Sequence, residues 1–204
     1  MSEVSATQVR ELREKTGAGL MDCKRALAES GADLEKAIVY LREKGLAAAA
    51  KKSARAASEG VVGSYIHAGG KIGVLIEVNS ETDFVARTQE FQNLVKDLAM
   101  QVAAANPRYV CPEEVSQEII DAERSIYRAQ ASGSGKPAAV IEKIIDGKVE
   151  KFLSDVCLLQ QPFIKEPQRT VGQLITDAIA QLGENIVVRR FSRFQLGESV
   201  DRPA

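Results

Sequence analysis

The chain has 204 residues, 45% hydrophobic and 27% charged, enough to bury a real core in one main domain with a smaller module beside it. Its 27 Lys and Arg against 28 Asp and Glu leave a formal charge of -1, so no global basic field draws it to phosphate backbones or anionic membranes. Cys23, Cys111 and Cys157 are odd in number and form no CxxC pair, no uncharged run approaches the roughly 18 residues of a membrane span, and the N-terminus is no Arg- and Ser-rich transit peptide, so a soluble, cytoplasmic protein is expected.

Ser5 followed by Gln8 is a capping-box pattern, and Val9 and Leu12 then share one helical face before Thr16-Gly17-Ala18-Gly19 breaks the helix. A second stripe, Leu20, Cys23 and Leu27, ends at Gly31. Asp33 can cap a third helix that carries Leu34, Ala37, Ile38 and Leu41 and stops before Gly45. Three short helices bury little area, which suits a bundle that docks on something else. The small and basic residues of 47–57 carry no large apolar face and read as a helical or flexible linker. The expected division is therefore a three-helix module over residues 1–52 and a core domain over 53–204.

From Gly60 the period changes to two. Ile72, Val74, Ile76 and Val78 alternate with Gly73, Leu75, Glu77 and Asn79, as in a half-buried strand, and residues 61–66 supply its partner. His67-Ala68-Gly69-Gly70 holds the glycines of a hairpin connection, so the two strands pair antiparallel. Residues 186–194, β-branched and aromatic though imperfectly alternating, supply a third strand, giving a sheet over 60–79 and 186–195. Phe91, Leu94, Val95, Leu98 and Val102 form a helix of period 3.6 to cover one sheet face, and Thr170 with Gln173 caps another over 171–182 that Gly183 stops. Between them, Val115, Ile119, Ala122, Ile126 and Ala129, then Ile145, Val149, Phe152 and Val156, step at heptad spacing. Ser132-Gly133-Ser134-Gly135-Lys136-Pro137 separates the two stripes, so residues 113–156 form an antiparallel helical hairpin with Gly147 as its weak point. The fold class is α+β.

Little in the sequence suggests chemistry. Gly133-Ser134-Gly135-Lys136 has the glycines of a phosphate loop, but Pro137 stands where Ser or Thr would bind magnesium and no strand precedes it, so a hairpin tip is the better reading. His67 is the only histidine and has no ligand or relay partners grouped near it. Each cysteine lies beside apolar residues, as packing thiols do. No cofactor, metal or catalytic residue is expected, and the protein is read as a non-enzyme.

Two features stand out. Leu20 and Met21 point about 100° apart on a short helix, so they cannot both serve one small core. In residues 77–86 a strand ends at Asn79 and polar residues then deliver Asp83 beside Phe84. By composition alone Asp83 is a helix cap and Phe84 a staple into the core. Other binding classes stay open at this level: an adaptor docking through the three-helix module, or RNA binding through Lys51, Lys52, Arg55 and the Arg189-Arg190-Arg193 cluster, which the balanced charge disfavours.

The run Thr16-Gly17-Ala18-Gly19-Leu20-Met21-Asp22-Cys23-Lys24-Arg25-Ala26-Leu27, preceded by Val9-Arg10-Glu11-Leu12, resembles the N-terminal signature of the elongation factor Ts family. The resemblance continues through Thr82-Asp83-Phe84-Val85-Ala86, Ser134-Gly135-Lys136-Pro137, Gln161-Pro162-Phe163, Thr170-Val171-Gly172-Gln173-Leu174 and Gly183-Glu184-Asn185-Ile186-Val187-Val188-Arg189-Arg190-Phe191, nearly the whole chain. It implies a guanine-nucleotide exchange factor for elongation factor Tu in translation. It further implies that the three-helix module is similar to ubiquitin-associated domains and docks through Leu20, Met21 and Lys24. Thr82, Asp83, Phe84 and Val85 would insert beside the magnesium site of the partner, with His67, Leu182 and Gly183 as further contacts. The chain resembles the short forms of the family, with a single core half, which implies a symmetric homodimer gripping two elongation factor Tu molecules. Phe84 is then expected to be exposed in the free protein, on a rigid strand-to-helix turn.

Overall fold

In the computed structural model, which describes residues 4–131 and 137–199, Ser5 caps the first helix as its spacing requires. Its hydroxyl accepts from the Gln8 N–H at 3.2 Å while the Gln8 side-chain oxygen accepts from the Ser5 N–H at 3.1 Å, closing the capping box at the head of α1 (Ala6–Thr16). α2 (Leu20–Glu29) and α3 (Leu34–Lys52) follow, and Asp33 caps α3 by accepting from the Lys36 N–H at 3.0 Å. Val9, Leu12, Cys23, Ala26, Leu27 and Ala37 form the buried centre of these three helices.

Two expectations change here. α3 runs through Gly45 to Lys52, because a helix-interior glycine costs only about 1 kcal/mol and the alanines behind it are the best helix formers. Gly45 is moreover buried, with the Ala180 methyl 3.4 Å from where its own Cβ would stand, an ordinary packing distance. Leu20 is not part of the buried stripe; α2 buries Cys23, Ala26 and Leu27 instead.

β1 (Glu59–Ile66) and β2 (Ile72–Ser80) are joined by a tight turn in which the His67 N–H donates to the Ile72 carbonyl at 2.9 Å, with Gly69 and Gly70 at φ 90 and 69. β5 (Ile186–Gln195) completes an antiparallel three-stranded sheet of order β1-β2-β5. Val74, Ile76 and Val78 of β2 are buried, as alternation demands, and so are Ile186 and Val188 of β5. The imperfect alternation of β5 has a structural counterpart. Arg189 and Arg190 are both exposed, after which the phase shifts and Arg193 turns inward, its Nε donating to the Ala103 carbonyl at 3.3 Å. After β2 come the single-turn α4 (Asp83–Ala86) and α5 (Gln89–Ala105), which buries Phe91, Leu94, Val95, Leu98 and Val102.

α6 (Gln117–Ala131) and α7 (Ala138–Val156) pair antiparallel, as shown by Arg124 reaching Asp146 at 2.6 Å and Arg128 reaching Glu142 at 3.0 Å. α7 turns Ile145, Val149, Phe152 and Val156 inward as its spacing predicts. α6 follows its predicted stripe only at its start, where Ile119 is half-buried. The helix begins only at Gln117, so Val115 is buried ahead of it behind a 3₁₀ turn, while Ala122, Ile126 and Ala129 are exposed. The half-buried face holds Ile119, Ile120, Glu123, Arg124 and Tyr127, with Lys148 Nζ 5.2 Å from the Tyr127 ring centre. Long polar side chains cover the apolar seam with their stems, and residue type alone hides that. The expected tip at Gly133-Ser134-Gly135-Lys136 lies outside the described residues.

The short strands β3 (Pro162–Phe163) and β4 (Glu166–Thr170) pair antiparallel and lead into α8 (Val171–Leu182). Thr170 and Gln173 cap α8 reciprocally, at 3.2 and 3.0 Å. The chain divides into two compact units. One holds residues up to Val61, Val78–Leu94 and Leu174–Val187; the other holds Val62–Glu77, Val95–Gln173 and the chain from Val188 onward.

Candidate partner-binding site

The turn that follows β2 is tied down residue by residue. Ser80, fully buried, donates its hydroxyl to the Thr82 carbonyl at 2.9 Å. Thr82 is extended, at φ -129 and ψ 157, and takes the N-cap position of α4, where its hydroxyl oxygen receives the Val85 N–H at 3.5 Å. Downstream, Thr88 donates its hydroxyl to the Val85 carbonyl at 2.7 Å and accepts from the Phe91 N–H at 3.3 Å, joining α4 to α5.

A second segment meets this turn. α8 stops at Gly183, φ 81, and Glu184 then places both carboxylate oxygens on Thr82: one accepts from the backbone N–H at 3.0 Å, the other from the hydroxyl at 2.6 Å. In the reverse direction, the Asn185 N–H donates to a Glu81 carboxylate oxygen at 2.7 Å. The buried Asn185 amide also donates to the Arg55 carbonyl at 2.8 Å and the Ser53 carbonyl at 3.4 Å. Two loops 102 residues apart in sequence are thus bonded to each other through reciprocal carboxylates.

On this frame Phe84 is 80% exposed. The expectation from composition, Asp83 as cap and Phe84 as staple, is therefore corrected on both counts. Thr82 holds the cap, and on a helix of one turn Ala86 takes the buried position, leaving Phe84 pointing out. Asp83 sits in the first turn, where a carboxylate suits the helix dipole, and pairs with Arg87 at 2.6 Å.

The same unit carries α2, whose outer face shows Leu20 and Met21, 57% and 67% exposed, beside an exposed Lys24. The loop ahead of α2 abuts the C-terminal turn of α8: Gln181 Oε1 lies 3.4 Å from where a Cβ on Gly17 would stand, one residue before Leu182 and two before Gly183. Leu182 is half-buried and Gly183 exposed. His67 belongs to the other unit, exposed, its Nδ1 3.0 Å from the Tyr65 hydroxyl.

Two of the three cysteines read as packing and Cys111 is half-buried. Cys23 and Cys157 are buried, and burial, reinforced by Cys111, Glu113 and Glu114, pushes the Cys157 thiol from 9.0 up to about 11. Among the described residues no group of three or more His, Cys, Asp or Glu is placed to hold a metal ion. What the surface offers is an apolar side chain and an acid on a braced turn.

Comparison with known proteins decides the family. The model described as elongation factor TS matches residues 5–198. Elongation factor Ts of Desulforamulus reducens is 59% identical over 202 residues, covering 99% of this chain and 93% of that protein. The chain belongs to the elongation factor Ts family. Elongation factor Ts of Citrifermentans bemidjiense is 61% identical over 197 residues, 97% of this chain and 91% of the relative. That of Caldanaerobacter subterraneus is 59% identical over 199 residues, 98% of this chain and 100% of the relative.

Sequence reasoning missed the residues that brace the elongation factor Ts turn, namely Glu184, Glu81 and Asn185. The one available signal was a polar Glu184-Asn185 pair caught between a helix-stopping glycine and a hydrophobic strand, where a solvated loop carries no obligation to bury an amide.

Proposed function

We propose that this protein promotes GDP release from elongation factor Tu during translation, using Phe84 and Asp83 on the braced turn to disturb the magnesium and phosphate site of its partner. Family membership implies the exchange role, and the observation that supports the mechanism is the 80% exposure of Phe84 on a turn fixed at both ends. An exchange factor has to bind the nucleotide-free partner better than the nucleotide-bound one, since a ligand indifferent to two states shifts neither. By linkage GDP weakens the grip of the factor equally. Burial of Phe84 in an apolar crevice of the partner contributes about 2 kcal/mol, available only in the state whose crevice is open. Asp83 needs only to leave Arg87, an exposed pair of the kind worth about 0.3–0.5 kcal/mol, to set its charge near the water shell of the magnesium. Leu20, Met21 and Lys24, on a module similar to ubiquitin-associated domains, supply docking affinity, with His67, Leu182 and Gly183 as further contacts. None of these residues makes or breaks a covalent bond, so the protein works as a binding factor in the cytoplasm and not as an enzyme. The test is release of a fluorescent GDP analogue from elongation factor Tu with and without the protein. Acceleration that excess GDP suppresses supports exchange, whereas stable binding with no change in release supports an adaptor.

The working form is a homodimer, with α6 and α7 as a coiled-coil hairpin. The resemblance to short family members is supported by the outer face of the sheet. Gly63 faces Val95 and Ile76, so Val62 and Ile66 lie on the opposite side; Leu75 alternates with the buried Val74 and Ile76, and Phe194 with the inward Arg193. Val62, Ile66, Leu75 and Phe194 are all exposed there, an apolar patch of the kind that a second copy covers. Light scattering should give twice the mass of one chain, and the double variant Leu75→Glu with Phe194→Glu should give one. A parent protein that runs as a monomer at micromolar concentration would remove the dimer from the scheme.

A further inference from the structure

We propose that Glu184 is a positioning residue for nucleotide exchange: its carboxylate locks the Thr82 cap, so that Phe84 meets the partner on a turn that does not yield. The inference rests on the exchange reading above and assigns a role to a residue outside the family contacts named for it.

A four-residue helix has no stability of its own, since helix nucleation is unfavourable and one turn closes almost no internal bonds. Its side-chain cap is also weak. The Val85 N–H stands 3.5 Å from the Thr82 hydroxyl, at the outer limit of a hydrogen bond. What holds Thr82 in its extended cap conformation is Glu184, through the two bonds of 3.0 and 2.6 Å to the N–H and the hydroxyl. Bonds to an ionised acceptor are about twice as strong as neutral ones. Since Glu184 directly follows Gly183, these bonds also make the Leu182-Gly183 step and the Thr82 to Val85 segment one piece of surface. Both carboxylate oxygens are occupied by Thr82, and one of the bonds uses a main-chain donor that no substitution at residue 82 other than proline removes. A side chain presented on such a turn delivers its burial energy to the partner, whereas on a loose turn part of that energy goes into ordering the turn itself.

The experiment measures release of the fluorescent GDP analogue from elongation factor Tu over a range of concentrations of the full-length protein. This separates the limiting rate from the half-saturating concentration. Glu184→Ala should lower the limiting rate about tenfold while leaving the half-saturating concentration within about twofold, because docking through α2 is untouched. Glu184→Gln, whose single amide oxygen replaces two carboxylate oxygens, should fall between. Thr82→Ser keeps the donor and the cap and should restore the native rate; Thr82→Val loses the hydroxyl and the cap but keeps the main-chain donor to Glu184, so its limiting rate should fall less than that of Glu184→Ala. The two defects should not add when Thr82→Val and Glu184→Ala are combined, as expected of partners in one interaction. A native limiting rate in Glu184→Ala overturns the proposal, as does a loss confined to the half-saturating concentration. Should Glu184→Ala fail to fold, Glu184→Gln decides, and a native limiting rate in that variant overturns it. A parent protein that does not accelerate release overturns the exchange reading itself, and the role of Glu184 with it.

Discussion

Replacing Gly60 with alanine should lower the melting temperature by about 10 °C, the largest stability loss expected of any one-methyl change in the described chain. Gly60 lies in β1 with φ 138, a conformation that residues with a Cβ avoid at a cost of about 1–3 kcal/mol. The added methyl would stand 2.2 Å from the Val78 carbonyl oxygen and 2.7 Å from the Asn79 Cα. Those are backbone atoms of β2, so no side-chain rotation relieves the clash, and the strands have to separate locally at a further cost of about 1–3 kcal/mol. Gly147 makes the contrast. It lies inside α7 with nothing within 4 Å of where an added methyl would stand, so Gly147→Ala should stabilise by about 0.5–1 kcal/mol. Thermal melting followed by circular dichroism compares the two. A Gly60→Ala protein that melts with the parent would mean that the β1 and β2 backbones are further apart than the structure places them.

Much of the fold was legible because its determinants are local. The Ser5 and Gln8 box, the Thr170 and Gln173 box, the strict alternation of Ile72 to Val78 and the glycines between β1 and β2 each act within a few residues, and each element formed where its signal lies. The failures fall where a residue type serves two environments equally well. Ile126 and Ala129 have the spacing of a buried stripe, yet α6 buries the neighbouring face through Tyr127 and the stem of Arg124, because the partner helix offers Lys148 and Asp146 there. Gly45 has the character of a helix stop, but a glycine stops a helix only where the residues behind it gain from leaving, and the alanine run behind Gly45 does not.

The site was legible only in part, for the same reason. An aromatic two residues past a threonine at the start of a helix is, on local grounds, a staple; its exposure follows from the fact that one helical turn has room for one inward residue, and Ala86 fills it. The contacts that make the turn rigid join residues 102 and 104 apart, from Thr82 to Glu184 and from Glu81 to Asn185, and no periodicity within a window of sequence carries such information. The family resemblance supplied the location of the proposed partner-binding turn. The structure supplied its support.

Phe84→Ala is the substitution that should divide function from folding most cleanly. The side chain is 80% exposed, so its removal should change stability by no more than about 0.5 kcal/mol. If burial of that ring in the partner contributes about 2 kcal/mol to the nucleotide-free complex alone, the limiting rate of GDP release should fall about 30-fold. Asp83→Ala should have a smaller effect, since its charge already has a competing partner in Arg87. On the proposed docking role, Leu20→Ala and Met21→Ala should behave in the opposite sense, raising the half-saturating concentration while leaving the limiting rate close to native, because a contact made equally in both nucleotide states is uniform binding and does not drive release. The decisive comparison is therefore the ratio of the two kinetic effects, not either alone. A Phe84→Ala protein whose only defect is weaker binding would make residue 84 another docking contact, and the displacement of the nucleotide would then have to come from the closure of the partner around the whole clamped surface.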